Sequence, residues 1–196
     1  MKKILALAAA LLLTPFTALA ISLSDIQNNP DQYVLVLRQT TINTYVDSNS
    51  IASLRYDPPY YAMGGDVYLV EYNGNKIIKT NAITTYDATR SFKTLLLAKY
   101  KAHPNINSHD LLVLTLEDLQ KDDGITLHFG KTDVWDLDGN YIRSMSSSEM
   151  DALLGSSFNG KIMIAIGSSA YHAANYMFYK GYNKYFGPKL DSENLY

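Results

Sequence analysis

The chain has 196 residues, with 17 basic and 19 acidic groups, a net charge of −2 and no cysteine. Without a basic excess there is nothing to neutralise a phosphate backbone, so nucleic acid is excluded as a partner. Without cysteine, neither a disulfide nor a lipidated thiol can form. The hydrophobic share of 47 % is too high for a disordered chain and sufficient for an ordinary core.

In chain order, Lys2 and Lys3 precede the unbroken apolar run from Ile4 to Leu13, then Pro15 and Ala18-Leu19-Ala20. A cationic start, an apolar middle and small residues at the two positions a peptidase reads make a secretory signal. Cleavage after Ala20 is expected, leaving one domain from Ile21 to Tyr196 with 15 basic against 19 acidic groups. The expected destination, beyond the inner membrane, is the periplasm or the cell surface.

Ser24 is expected to cap a single turn through Asp25-Ile26-Gln27 that stops before Pro30. Tyr33 to Arg38, Thr40 to Asp47 and Ile51 to Asp57 read as strands, the last two joined by a turn at Asp47-Ser48-Asn49-Ser50. Pro58-Pro59 forbids ladder pairing and predicts a turn at a sheet edge, followed by Tyr60 and a flexible Gly64-Gly65. Next, Asn73-Gly74 between two β-favouring runs predicts a hairpin with Glu71 facing Lys76, Val70 facing Ile77 and Leu69 facing Ile78, and a positive backbone angle at Gly74. Both faces of that hairpin are apolar, which predicts a central, covered position.

Ile83 to Tyr86 and Ser91 to Tyr100 continue as expected strands, with a break between them. From Asn107 or Ser108 the period changes to a helix, with Leu111, Leu112, Leu114, Leu116 and Leu119 as its buried stripe and Asp123-Gly124 as its end. Short strands are expected at Ile125 to Phe129, Asp133 to Leu137 and, after Asp138-Gly139-Asn140, Tyr141 to Ser144. A brief helix from Ser148 to Leu154, a strand from Lys161 to Ile166 and a tyrosine-rich helix capped by Ser168 or Ser169 complete the pattern. The uncharged run from Ile162 to Tyr179 is not read as a membrane span, because Ser168, Ser169, His172 and Asn175 would fall near mid-bilayer. The expected fold class is α+β, an antiparallel β-sheet with a mid-chain helix and a C-terminal helix packed on it.

No motif declares an enzyme, so no catalytic residue and no cofactor are assigned. Asp136, Asp138 and Asn140 alternate like the start of a calcium loop, but Tyr141 and Ser147 stand where glycine and glutamate are needed, and the pattern is a hairpin turn. His103, His109, His128 and His172 lack metal-ligand spacing, so no metal site is expected. Gly167-Ser168-Ser169-Ala170 lacks the second glycine of a nucleophile elbow and reads as a helix cap. What stands out is 16 tyrosines, a residue that gives broad apolar contact with a polar tip at low entropic cost. Tyr56, Tyr60 and Tyr61 flank Pro58-Pro59 and are the candidate binding residues, since the prolines hold the segment off the ladder.

The stretch Tyr45-Val46-Asp47-x-x-Ser50-Ile51, the strand from Val67 to Tyr72, and Tyr86-Asp87 leading through Arg90 to Leu97 together resemble the surface-adhesin protein E family of small exported bacterial proteins. The resemblance covers about Tyr33 to Tyr100, and departs from the family at Ala88, where a cysteine is common. It implies α and β structure and binding of host or matrix protein at the cell surface, with no individual binding residue carried over. The expected function is an exported, non-enzymatic binder of an extracellular protein or glycan. The alternative is a periplasmic protein that binds a small ligand or maintains the envelope. Intact mass of the exported protein tests the first boundary: the chain should begin at Ile21, and a product that retains Met1 to Ala20 would remove the signal.

Overall fold

The computed structural model describes residues 20–149, 162–164 and 166–189. Its elements are α1 (Leu23–Asn28), β1 (Tyr33–Arg38), β2 (Ile42–Asp47), β3 (Ala52–Asp57), β4 (Tyr60–Glu71), β5 (Lys76–Asp87), α2 (Phe92–Ala102), α3 (Ser108–Lys121), β6 (Ile125–Asp136), β7 (Tyr141–Met145), β8 (Ile162–Met163) and α4 (Ser169–Tyr182). All strand pairs are antiparallel, in the order β1-β2-β4-β5-β6-β7, with β3 added to β4 and β8 added to β6. The fold is α+β with a C-terminal helix on the sheet, as the sequence indicates.

Alternation along the strands divides the sheet into two faces. Tyr61, Met63, Val67, Ala82, Tyr86, Ile125 and Leu127 are buried with Tyr171, Ala174, Met177 and Phe178 of α4. Tyr45, Tyr68, Val70, Ile77 and Trp135 are buried on the other face with Ile21 and Ile26. The β4–β5 hairpin is central and covered, in the register expected: Glu71 faces Lys76, Val70 faces Ile77 and Leu69 faces Ile78.

Several elements differ from the sequence reading. Gly64 and Gly65 are not flexible; they lie buried inside β4, and a Cβ at Gly65 would stand 3.0 Å from the Met177 sulfur, so the glycine lets α4 approach. Ser91 to Tyr100 is helix rather than strand. Ser91 is the N-cap of α2, its hydroxyl accepting from the Thr94 amide, and the leucines, alanine and lysines that follow are strong helix formers. Ile125 to Asp136 is one strand, because Gly130 and Lys131 are absorbed in a bulge opposite Asn81. The α1 cap is Ser22, not Ser24, through a reciprocal capping box with Asp25. The segment between Glu149 and Ile162, including most of the expected helix from Ser148 to Leu154, and the expected signal up to Leu19 lie outside the described residues.

The expected mid-chain helix is a pair. α2 and α3 pack mainly on each other and are joined by Lys99–Asp118 at 2.7 Å. No residue of α2 is buried, and only Thr115 and Leu119 are buried in α3, so the leucine stripe does not reach the sheet core.

At the hairpin turn the positive φ falls on Asn75 (49°) and not on Gly74. A Cβ at Gly74 would meet only the mobile ends of Glu71 and Lys76, at 3.0 and 3.1 Å. Asn75→Val should therefore lower stability by about 1 kcal/mol or more, because a β-branched residue tolerates this region poorly, whereas Gly74→Ala should cost less. Thermal melting of the two variants checks the assignment.

Candidate binding surface and cavities

With six residues, α1 is about 9 Å long, whereas the twelve-residue strands beneath it run about 40 Å. It covers only the part of its face near Val70, Ile77 and Trp135. The remainder carries Arg55, Tyr60, Thr85 and Thr126, which line a cleft of about 400 Å³ completed by Arg90 and Asp122. The cleft is electrically balanced: Arg90 meets Asp122 at 2.7 Å, and Arg55 is paired with Asp57.

The three candidate tyrosines are separated by the pleat. Tyr56 and Tyr60 are 68 % and 45 % exposed, but Tyr61 is 7 % exposed. As Tyr56 and Tyr61 are register partners, both rings fall on the α4 side; the Tyr61 ring lies 5.3 Å from Phe178 and 5.3 Å from Tyr182. Tyr61 is therefore core, a correction to its assignment as a binding residue. Tyr60 lies on the opposite face, with the Arg55 guanidinium 5.4 Å from its ring centre. All six residues of β3 are exposed, and Leu54 stands at a bulge in the β3–β4 pairing. Leu54 and Arg55 lie on the Tyr60 side of the strand pair, whereas Tyr56 is exposed on the α4 side, its ring 5.5 Å from Tyr182. No local pattern marks Leu54 or Arg55 as surface residues, since only the bulge and the strand's edge position leave them outside.

A second cavity, of about 440 Å³, lies beside α1. Ile26 and Pro30 face Leu35, Tyr33 and Tyr45 across it, and Arg38, Asn43 and Tyr72 complete the wall. The Asn43 amide donates to the Tyr72 hydroxyl at 2.9 Å, and burial pushes the Tyr72 pKa up while Arg38 works against that rise. These residues come from α1, β1, β2 and the β4–β5 turn, and no sequence spacing joins them.

Other candidate chemistry is absorbed by structure. The Asp136 carboxylate accepts from the Asp138 and Asn140 amides at 3.0 and 2.8 Å and from the Asn140 side chain at 2.8 Å, and these bonds lower its pKa and close the β6–β7 turn. Ser168 caps α4 by accepting from the Tyr171 amide at 3.2 Å. Among the described residues, no group of three or more metal-ligating side chains gathers, and no helix is long and apolar enough to cross a membrane. His172 is buried within α4, and desolvation lowers its pKa. Comparison of the chain with protein-family models, curated proteins and solved structures finds no match.

Asp123, in the link from α3 to β6, is 4 % exposed; one carboxyl oxygen accepts from the Ile125 amide at 2.9 Å, and the other is buried without a partner among the described residues. Burial pushes its pKa up from 3.8 to about 6. The folded state thus holds this proton more tightly than the unfolded state. The associated stability is fully present below about pH 4 and is lost as pH rises through 6, a change on the order of 2–3 kcal/mol. Asp123→Asn should exceed the wild type in stability by about 2 kcal/mol at pH 7.5 and lose that advantage at pH 4. Urea unfolding at the two pH values measures the difference, and equal differences at both would place the ionisation elsewhere.

Proposed function

We propose that this protein is an exported, non-enzymatic binding protein of the bacterial periplasm or cell surface. It grips an extracellular protein or glycan through the exposed surface of the β3–β4 hairpin. The observation that carries this reading is the exposure of Tyr56 and Tyr60 on a strand pair whose buried Tyr61 anchors it to α4. Aromatic anchors on a rigid support lose little conformational entropy on docking, and Leu54 and Arg55 beside Tyr60 supply an apolar and a cationic contact, with Tyr56 presented on the other side of the same hairpin. The resemblance to the surface-adhesin protein E family supports the same reading, with host or matrix protein as the partner. A second reading, a periplasmic small-ligand binder, is favoured by the cavity that Tyr33, Tyr45 and Tyr72 line.

The two exposed tyrosines separate binding from folding. Replacing Tyr56 and Tyr60 by Ser should weaken adhesion to immobilised matrix proteins or glycans by about 2 kcal/mol, roughly 30-fold, with a small change in melting temperature. Tyr61→Ser should instead lower the melting temperature, since it removes a buried ring. Adhesion that survives the double replacement would remove this surface from the function.

A further inference from the structure

We propose that the cavity beside α1 is a binding site for a small aromatic carboxylate, with Arg38 pairing the ligand's carboxyl group. The site is separate from the β3–β4 surface and does not depend on it.

Charge is the first reason. No aspartate or glutamate lines this cavity, and Arg38 forms no ion pair with a described residue. Arg55 and Arg90, by contrast, are each paired with a carboxylate, Asp57 and Asp122 respectively. The cavity beside α1 therefore has one cation and no counter-charge of its own, and a guanidinium's planar fork of N–H donors matches a carboxylate. The Tyr72 pKa records the proximity of Arg38 to the polar part of the wall, since the cation opposes its rise.

Besides Arg38, the polar part of the wall consists of Gln27, the tyrosine hydroxyls and Asn43, whose side-chain oxygen is buried without a partner among the described residues. The Asn43 amide donates to Tyr72 at 2.9 Å and to Tyr45 at 3.4 Å. That leaves Arg38 as the charged recognition group, while Ile26, Leu35, Pro30 and the tyrosine rings offer apolar contact. Flat rings and branched side chains favour a flat apolar body over a strongly hydrated one. A volume of about 440 Å³ falls within the range of small-molecule sites and admits a single ring with a short acid arm. Walls of this kind with few polar groups are what orient a small ligand.

The probe is 3-phenylpropionate, titrated into the full exported chain by calorimetry, with 3-phenylpropionamide as its uncharged counterpart and octanoate as a flexible acid. Expected is binding of the aromatic acid at least tenfold tighter than the amide and tighter than octanoate. Arg38 is exposed, so Arg38→Gln should preserve the melting temperature while weakening the acid at least tenfold and leaving the amide unchanged. Amide chemical-shift changes should fall on α1, β1, β2 and the turn at Tyr72. Tyr56→Ser with Tyr60→Ser should leave this binding intact even where adhesion is lost. No measurable binding of the acid, equal binding of acid and amide, tighter binding of octanoate, or an Arg38→Gln variant that holds the acid like the wild type would overturn the proposal.

Discussion

Tyr86 and Phe178 meet at 4.8 Å between the rings, and the Tyr86 hydroxyl donates to the Ala174 carbonyl at 2.8 Å. This junction of β5 and α4 is the contact around which the protein is arranged. Both side chains are almost fully buried, which contributes on the order of 1.5–3 kcal/mol each, and the hydrogen bond removes the cost of hiding a phenol. Phe186 packs against both rings, at 5.2 Å from each, and Tyr61 and Tyr182 extend the aromatic cluster toward β3. With no disulfide available, the position of α4 rests on this packing and on glycine: at Gly65 and Gly181 an added Cβ would press on Met177 and Met63.

The two faces of the sheet then have different fates. A fourteen-residue helix covers one, so Tyr61 and Tyr86 are consumed by the core. The other has a six-residue helix, seated by the Leu23 amide donating to the Leu137 carbonyl at 2.9 Å, and this leaves open ground at both of its margins. On one side lies the cleft with Arg55 and Tyr60, and on the other the cavity with Arg38 and Tyr72. Surface ion pairs such as Arg55–Asp57 and Arg90–Asp122 contribute little to stability, but they set the charge that a ligand meets. The same residue type is thereby neutralised in one depression and left without a counter-charge in the other.

Burial without a partner marks the strained part of the frame. Asp123 sits where α3 ends and Gly124 takes a φ of 73°, and a Cβ at Gly124 would collide with the Asp87 carbonyl. The tight link brings β6 beside β5 and keeps the α2–α3 pair off the sheet, while its carboxyl is taken out of water. That exchange of hydration for close packing makes stability depend on pH near 6.

Local signals alone determined much of the outline. The register at Glu71 and Lys76 follows from alternation and the Asn-Gly turn, β1 from its β-favouring run, and the starts of α3 and α4 from the Asn107-Ser108 and Ser168-Ser169 pairs, of which Asn107 and Ser168 are the caps, because each depends on residues a few positions apart. The cap at Ser91 and the leucines and lysines after it are likewise local signals, and they favour helix over strand. Tertiary structure decided the rest. Whether Tyr61 faces inward and Tyr60 outward depends on which side of the pleat α4 occupies, and Arg38 acquires an apolar neighbourhood only because α1 folds back over β1 and β2. Composition supplies 16 tyrosines, but their division between core and surface comes from the packing of elements far apart in the chain, a contact that no local pattern encodes.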